Sequence, residues 1–256
     1  MASMPPIWVV SLERAPERRS FVVQSFTDAG LPYELIDAVD GTTLSPAERR
    51  SYSRARSLFE IGRGLMEGEV GCALSHLRLL QRVVDEHIPE VLIVEDDVAP
   101  TAALGRLLER RHELPADHDV VTFCSLSSSS SPHAVDGVDL DDEYRVCTYR
   151  RMLFGAQCYL VTERAARRVL DVAYPIRMPY DELLFRRRPA HLRVYGIEPR
   201  AVVLEPFDSE LAARSAPPGP ITPGVRLSSW PLALAGKVHR RLRGPNGGAE
   251  TVPQSR

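Results

Sequence analysis

Lysine is almost missing from this chain. Lys237 is the single lysine among 32 lysine and arginine residues, so the rest of the positive charge rides on guanidinium groups, whose planar fork suits phosphate oxygens. Cysteine is scarce too, with Cys72, Cys124, Cys147 and Cys158 and no C-x-x-C pair. That spacing excludes zinc-finger patterns and a disulfide framework and fits a reducing compartment, with Cys72 and Cys158 expected as small core residues. Charge of one sign is also absent. The net charge is −2, so no global basic field directs the chain to nucleic acid. No apolar run reaches the length of a membrane span, and no basic stretch precedes the short apolar run near the N-terminus. The expected location is cytoplasmic.

What is present is an ordinary globular composition: 256 residues, 44% hydrophobic and 26% charged, enough to bury a sizeable core. IWVVSL (7–12) reads as a buried strand of a parallel sheet, and APERRSFVVQSFTDAG (15–30) as a helix with Pro16 early and Gly30 at its end. YELIDAV (33–39) follows as a second strand, closed by Asp40-Gly41. This β-α-β order points to an open α/β fold. SPAERRSYSRARSLF (45–59) reads as one polar helix. GEVGCALSHLRLLQRVVDEH (68–87) is the strongest helical pattern, with Ala73, Leu77, Leu80 and Val84 on one stripe. Strands are expected at 91–97, 119–126, 143–152, 154–162, 192–199 and 201–206, and helices at 103–114 and 162–173, the latter with Thr162 as N-cap. SLSSSSSPHAVDG (125–137) reads as a loop. After residue 211 the text is rich in Pro, Gly, Ser and Arg, so 212–256 is expected to be a loosely packed tail. Within it WPLALAG followed by arginines offers a peripheral contact with the anionic inner face of a membrane.

The sharpest feature is VLIVEDDVAP (91–100), four apolar residues running into Glu95, Asp96 and Asp97. Three adjacent carboxylates repel one another and resist losing water. In open α/β sheets ligands bind beyond the carboxyl ends of strands, and clustered carboxylates there can hold Mg²⁺ or Mn²⁺. Spacing alone leaves two readings open, a cation site and a plain acidic turn. A similar string opens bacterial receiver domains, but there it forms the first strand and needs a downstream lysine near the phosphate. Here about ninety residues precede it, and Lys237 lies in the tail.

Several segments together resemble glycosyltransferase family 25: VVSLERAPERR, IDAVDG, GEVGCALSHLRLL, VLIVEDDV, GAQCYLVTERAARRVL and PYDELLF, in family order. The resemblance implies a GT-A-like fold, an open mixed sheet flanked by helices with a nucleotide-binding first half, spanning 1–211. It also implies a UDP-sugar donor, commonly UDP-galactose, a divalent Mn²⁺ or Mg²⁺, a saccharide or glycolipid acceptor, and inversion at the anomeric carbon. Carried over by position, Asp97 and Glu95 become metal ligands and Asp96 a contact of ribose or sugar. Asp181 becomes the base that takes the acceptor hydroxyl's proton, with a structural alternative as helix N-cap. Ser11 and Leu12 would border the uracil through main-chain groups, Arg14 or Arg19 would pair with phosphate, and Asp40 would touch the nucleoside. Arg18 is assigned to a solvated helix face. Ser75 and His76 face the cleft or satisfy buried groups, while Glu69 caps its helix start. Gly155 packs beside the donor sugar, and Asp208 is the remaining acid for a further ligand. The competing function is a non-catalytic member that binds a nucleotide sugar or glycan.

Overall fold

The structure, a computed structural model, describes residues 4–124, 134–149, 153, 155–185 and 190–207. The Ser-rich segment 125–133, Asp208 and the 212–256 tail lie outside the described residues.

The described chain builds β1 (Ile7–Ser11), α1 (Pro16–Asp28), β2 (Glu34–Asp37), α2 (Pro46–Arg50), α3 (Arg54–Ile61), α4 (Glu67–Asp85), β3 (Glu90–Glu95) and β4 (Val98–Pro100). It continues with α5 (Ala102–Glu109), β5 (Val120–Thr122), β6 (Ala134–Asp139), β7 (Arg145–Tyr149), β8 (Cys158–Thr162), α6 (Glu163–Ala173), α7 (Tyr180–Phe185), β9 (Val194–Glu198) and β10 (Val202–Leu204). Eight strands form one mixed sheet in the order β2-β1-β3-β8-β5-β9-β7-β6, and β10 pairs with β4 in a separate two-stranded ribbon. β1 is parallel to both β2 and β3, so Ser11, Asp37 and Glu95 finish at one end of the sheet. β8 runs antiparallel between β3 and β5. Its first residues therefore arrive at the end where β3 stops. This is the open mixed sheet flanked by helices that the sequence implies.

Alternation along the strands divides the apolar residues between two layers. Trp8, Val10, Val91 and Ile93 face one core with Leu77, Leu80 and Val83 of α4 and Val169 of α6. Ile7, Val9, Leu92 and Val94 face the other with Val22 and Phe26 of α1 and Leu104 and Leu108 of α5. A strand covered on both faces must be apolar at every position, which is why IWVV and VLIV are unbroken runs. Each such side chain contributes roughly 1.5–3 kcal/mol by burial.

Local signals set several boundaries. Ser45 and Glu48 form a reciprocal capping box at α2, and Thr162 caps α6 by accepting from the Ala165 amide at 3.1 Å. The polar helix expected over 45–59 is two helices. Between them the backbone at Ser51 and Ser53 exchanges hydrogen bonds with Ile176 (2.7 and 2.9 Å), and a tertiary strand-like bridge at Tyr52 overrides local helical preference. The expected loop over 125–137 contains the start of β6, an edge strand whose half-exposed pattern AVDGVD hides it from periodicity. The segment 201–206 forms β10, which leaves the main sheet to hold the chain just after Asp97: the Glu205 amide donates to the Asp97 carbonyl at 2.9 Å.

Candidate active site

The apolar run of β3 ends at Glu95, and the chain turns at once through Asp96 and Asp97 into β4. The three acids have different surroundings. Asp96 is buried. Its Oδ2 accepts from the Ser11 hydroxyl at the end of β1 (2.8 Å), and its Oδ1 accepts from Arg18 Nε (2.8 Å) and a terminal guanidinium nitrogen (2.5 Å). Arg18 is not on a solvated helix face, because α1 turns it inward over the acids. Burial works against its charge, but the bond to Asp96 together with the negative charges of Asp96, Asp97 and Glu95 outweighs that and raises its pKa. Arg18 also lies 3.7 Å from Asp97 Oδ2 and over the Phe207 ring at 5.3 Å.

Asp97 lacks such support. Its Oδ1 is buried and has no hydrogen-bond partner among the described residues. Burial, then the charges of Glu95 and Asp96, push its carboxyl up to about 7, against the opposing pull of Arg18. A buried acceptor without a donor costs on the order of 1–3 kcal/mol, so the turn suits a bound cation. An oxygen-only donor set of Glu95 and Asp97 matches the preference of Mn²⁺ or Mg²⁺. The side-chain oxygen of Gln157 is a second buried acceptor without a partner among the described residues. Gln157 sits directly across from Glu95, its carbonyl accepting from the Glu95 amide at 2.7 Å.

The wall of the site comes from α4. Cys72 and His76, one turn apart, face Glu95. The Cys72 sulfur is 4.0 Å and His76 Nε2 is 3.2 Å from Glu95 Oε1. Cys72 is partly buried, packs against the larger apolar core as the sequence suggests, and also turns its sulfur to the site. Removal from water, then Glu95, Asp181, Glu69 and Asp97, hold its thiol well above the usual range. That thiol therefore senses both the acidic turn and Asp181 on α7. His76 Nδ1 is 2.9 Å from the Tyr159 hydroxyl, which is 2.8 Å from that of Tyr180, and Tyr180 stacks on the imidazole at 4.3 Å. Asp181 stands in the first turn of α7. Its Oδ2 accepts from the Gly155 amide (3.0 Å) and its Oδ1 from the Glu182 amide (2.8 Å). Gly155 has φ 78°, a left-handed conformation that suits glycine.

The remaining candidates are spread along the same rim. The Ser75 hydroxyl donates to the Gly71 carbonyl and accepts from the Val39 amide, both at 2.8 Å, so it fastens the end of β2 to α4. Arg14 pairs with Asp40 at 2.5 Å, and Asp40 also accepts from the Thr42 amide. Desolvation opposes these bonds, but those to Thr42 and Arg14 together outweigh it and lower the Asp40 pKa. Arg19 pairs with Asp37 at 2.6 Å. Leu12 follows β1, its carbonyl accepting from the Ala15 amide. Glu69 supports its helix start by accepting from the Met66 amide and is held by both Arg63 nitrogens at 2.7 and 2.6 Å. Cys72, Gln157, Tyr159 and Tyr180 escaped the sequence reading. The i, i+4 spacing of Cys72 and His76 was the one available signal.

The profile described as "Glycosyltransferase family 25 (LPS biosynthesis protein)" matches residues 4–184, a span that holds every residue placed above except Phe207. A glycosyltransferase 25 family member from Drosophila pseudoobscura pseudoobscura is 41% identical over 199 residues, covering 72% of this chain and 30% of the relative. Procollagen galactosyltransferase 2 from Mus musculus is 25% identical over 166 residues, covering 59% and 26%. Several other relatives carry the word "inactive" in their names. The chain spans less than half the length of the curated relatives it matches. Among solved structures, the galactosyltransferase LgtC in complex with donor and acceptor sugar analogues aligns over 97% of this chain and 98% of its own, at 12% identity and a TM-score of 0.41. On the sequence match over residues 4–184, the chain belongs to glycosyltransferase family 25.

Proposed function

We propose that this domain transfers a hexose, with galactose the first choice, from a UDP-sugar to a saccharide or glycolipid acceptor, with inversion and with Mn²⁺ or Mg²⁺ bound at Glu95 and Asp97. The observation that carries the reading is the buried Oδ1 of Asp97, without a partner among the described residues, just past the carboxyl end of a parallel strand. When bound, the cation supplies Lewis-acid stabilisation of a diphosphate leaving group.

The protein's own part is positioning and proton handling. Ser11 and Arg18 fix Asp96 and so set the path of the turn that presents Glu95 and Asp97. Arg14 and Arg19, paired with Asp40 just beyond β2 and Asp37 at its end, are the guanidinium groups that would exchange those partners for phosphate. Inversion in one displacement needs a base on the face of the sugar opposite the leaving group. Asp181 takes that role. Two backbone amides orient its carboxylate, and each oxygen keeps a lone pair for the acceptor hydroxyl's proton. The alternative is a binder that no longer transfers, a reading prompted by the relatives named inactive.

The test is a panel of UDP- and GDP-sugars with Mn²⁺, read by thermal shift and by slow donor hydrolysis. The true donor at about 100 times its Kd should stabilise the fold by about 2.7 kcal/mol. Asp97→Asn should abolish both the Mn²⁺-dependent shift and hydrolysis, on the order of 10²-fold or more in turnover, while remaining folded. Asp181→Asn should retain the shift and lose transfer. Unchanged turnover in Asp97→Asn removes the metal assignment. Mn²⁺-dependent UDP binding without hydrolysis or transfer selects the non-catalytic binder.

A further inference from the structure

Next to the oxygen-rich turn lies a donor set of another kind. The ligand atoms of Cys72, His76 and Glu95 all lie within 4.8 Å of one another. Two are fixed by one helix, since Cys72 and His76 are four residues apart on α4 and project from the same face. The third, Glu95, ends β3, the strand between parallel β1 and antiparallel β8. The closest pair, His76 Nε2 and Glu95 Oε1, is 3.2 Å apart, and Cys72 Sγ is 4.0 Å from the same oxygen. A tetrahedral ion with a metal–sulfur bond of about 2.3 Å and metal–nitrogen or metal–oxygen bonds of about 2.0 Å spaces its ligands by roughly 3.3–3.5 Å. The nitrogen–oxygen edge already has that length, the sulfur–oxygen edge must close by about half an ångström, and the sulfur–nitrogen edge, no longer than 4.8 Å, by about 1.3 Å at most.

We propose that Cys72 Sγ, His76 Nε2 and Glu95 Oε1 form a binding site for a borderline divalent cation of the Zn²⁺ class, distinct in chemistry from the oxygen-only set at Asp97 and sharing Glu95 with it. Thiolate and imidazole select softer ions than carboxylates do. The surroundings of His76 point to the same ligand. An imidazole that ligates through Nε2 carries its proton on Nδ1 and donates it outward, which fixes tautomer and ring direction. His76 Nδ1 faces the Tyr159 hydroxyl at 2.9 Å, and that hydroxyl has Tyr180 at 2.8 Å to receive its own proton. Tyr180 also stacks on the ring at 4.3 Å and 13°, so the imidazole cannot swing away. On binding, the Cys72 thiol releases its proton to solvent as sulfur takes the cation, and the His76 proton leaves the Nε2 side for Nδ1. Three protein ligands leave one position for water or an exogenous group. Because Glu95 is shared, filling this site withdraws a carboxylate from the harder cation.

Co²⁺ is a spectroscopic stand-in for Zn²⁺ and reads the site without any transfer assay, so the outcome is independent of the proposed transferase activity. The full chain, reduced and stripped of metal, is titrated with Co²⁺. One equivalent should produce a thiolate-to-cobalt charge-transfer band that Zn²⁺ bleaches. Cys72→Ser should lose the band with its melting temperature retained, and Asp97→Asn should keep it. No band in the wild type, or a band that survives Cys72→Ser, overturns the proposal. X-ray absorption on the Zn²⁺-loaded wild type guards against a variant that fails to fold. One sulfur scatterer is expected, and none or two would overturn the assignment.

Discussion

Single side chains show where a sequence pattern is ambiguous. Glu95, Asp96 and Asp97 look alike in the text, yet one is an ion-pair anchor, one has an oxygen without a partner among the described residues, and one faces cysteine and histidine. The difference comes from residues far along the chain: Ser11 and Arg18 reach Asp96 across 85 and 78 positions. No local rule reports such a meeting. Arg18 illustrates the same limit, since SLERAPERR shows a basic helix start but not which arginine turns inward. His118 is a second case. Its Nδ1 faces the Pro115 carbonyl and its Nε2 faces Glu90 Oε1, both at 2.8 Å. Burial disfavours the imidazolium, but the bonds to Glu90 and Pro115 win, and its pKa rises above 6.5. The folded state therefore holds this proton more tightly than the unfolded chain does. The resulting stabilisation is complete below pH 6.5 and is lost as pH rises through the folded value. Urea midpoints measured across that window should fall with rising pH, and His118→Gln should flatten that part of the profile.

At the scale of elements, two glycines explain why IDAVDG and GEVGCALSH occur together. The short 3₁₀ turn at Gly41–Thr43, which begins at Asp40, packs on the first turn of α4. A Cβ on Gly71 would come within 2.6 Å of the Gly41 nitrogen and 2.7 Å of the Val39 carbonyl, and one on Gly41 would overlap the Glu67 carbonyl. Replacing Gly71 by alanine would gain about 1 kcal/mol of helix propensity. Forcing a backbone out of contact costs about 1–3 kcal/mol or more, so the clash should win. Gly71→Ala is expected to lower the urea midpoint and to loosen the Ser75–Val39 bond beside the cleft. An unchanged midpoint would mean that the turn yields freely. Elements with strong periodicity, such as α4 and the apolar runs of β1 and β3, were legible in the text. The break between α2 and α3 was not, because its cause is Ile176, more than a hundred residues downstream. Edge strand β6 was missed because only one of its faces is covered.

For the molecule as a whole, one sheet separates two apolar layers, and the strands that face both layers lie at its centre. Neither layer can melt without exposing the other side of the same strands. Asp119 adds to this coupling. It is fully buried and receives Arg164, Arg168 and the Arg193 amide, joining β5, α6 and the approach to β9. Unfolding of the sheet should therefore be a single transition. A Trp230→Phe variant leaves Trp8, buried at 2% exposure in β1, as the only tryptophan. Its fluorescence and the far-UV circular dichroism should trace one curve in urea, and two separated curves would contradict the shared-sheet account. The turn after β3 has an electrical consequence as well. Asp96 is neutralised inside the fold by Arg18, so of three formal negatives only two face an incoming divalent ion. If the cation proposed above binds there, ion and acids cancel, and a polyanionic nucleotide would approach ground that neither repels it nor traps it.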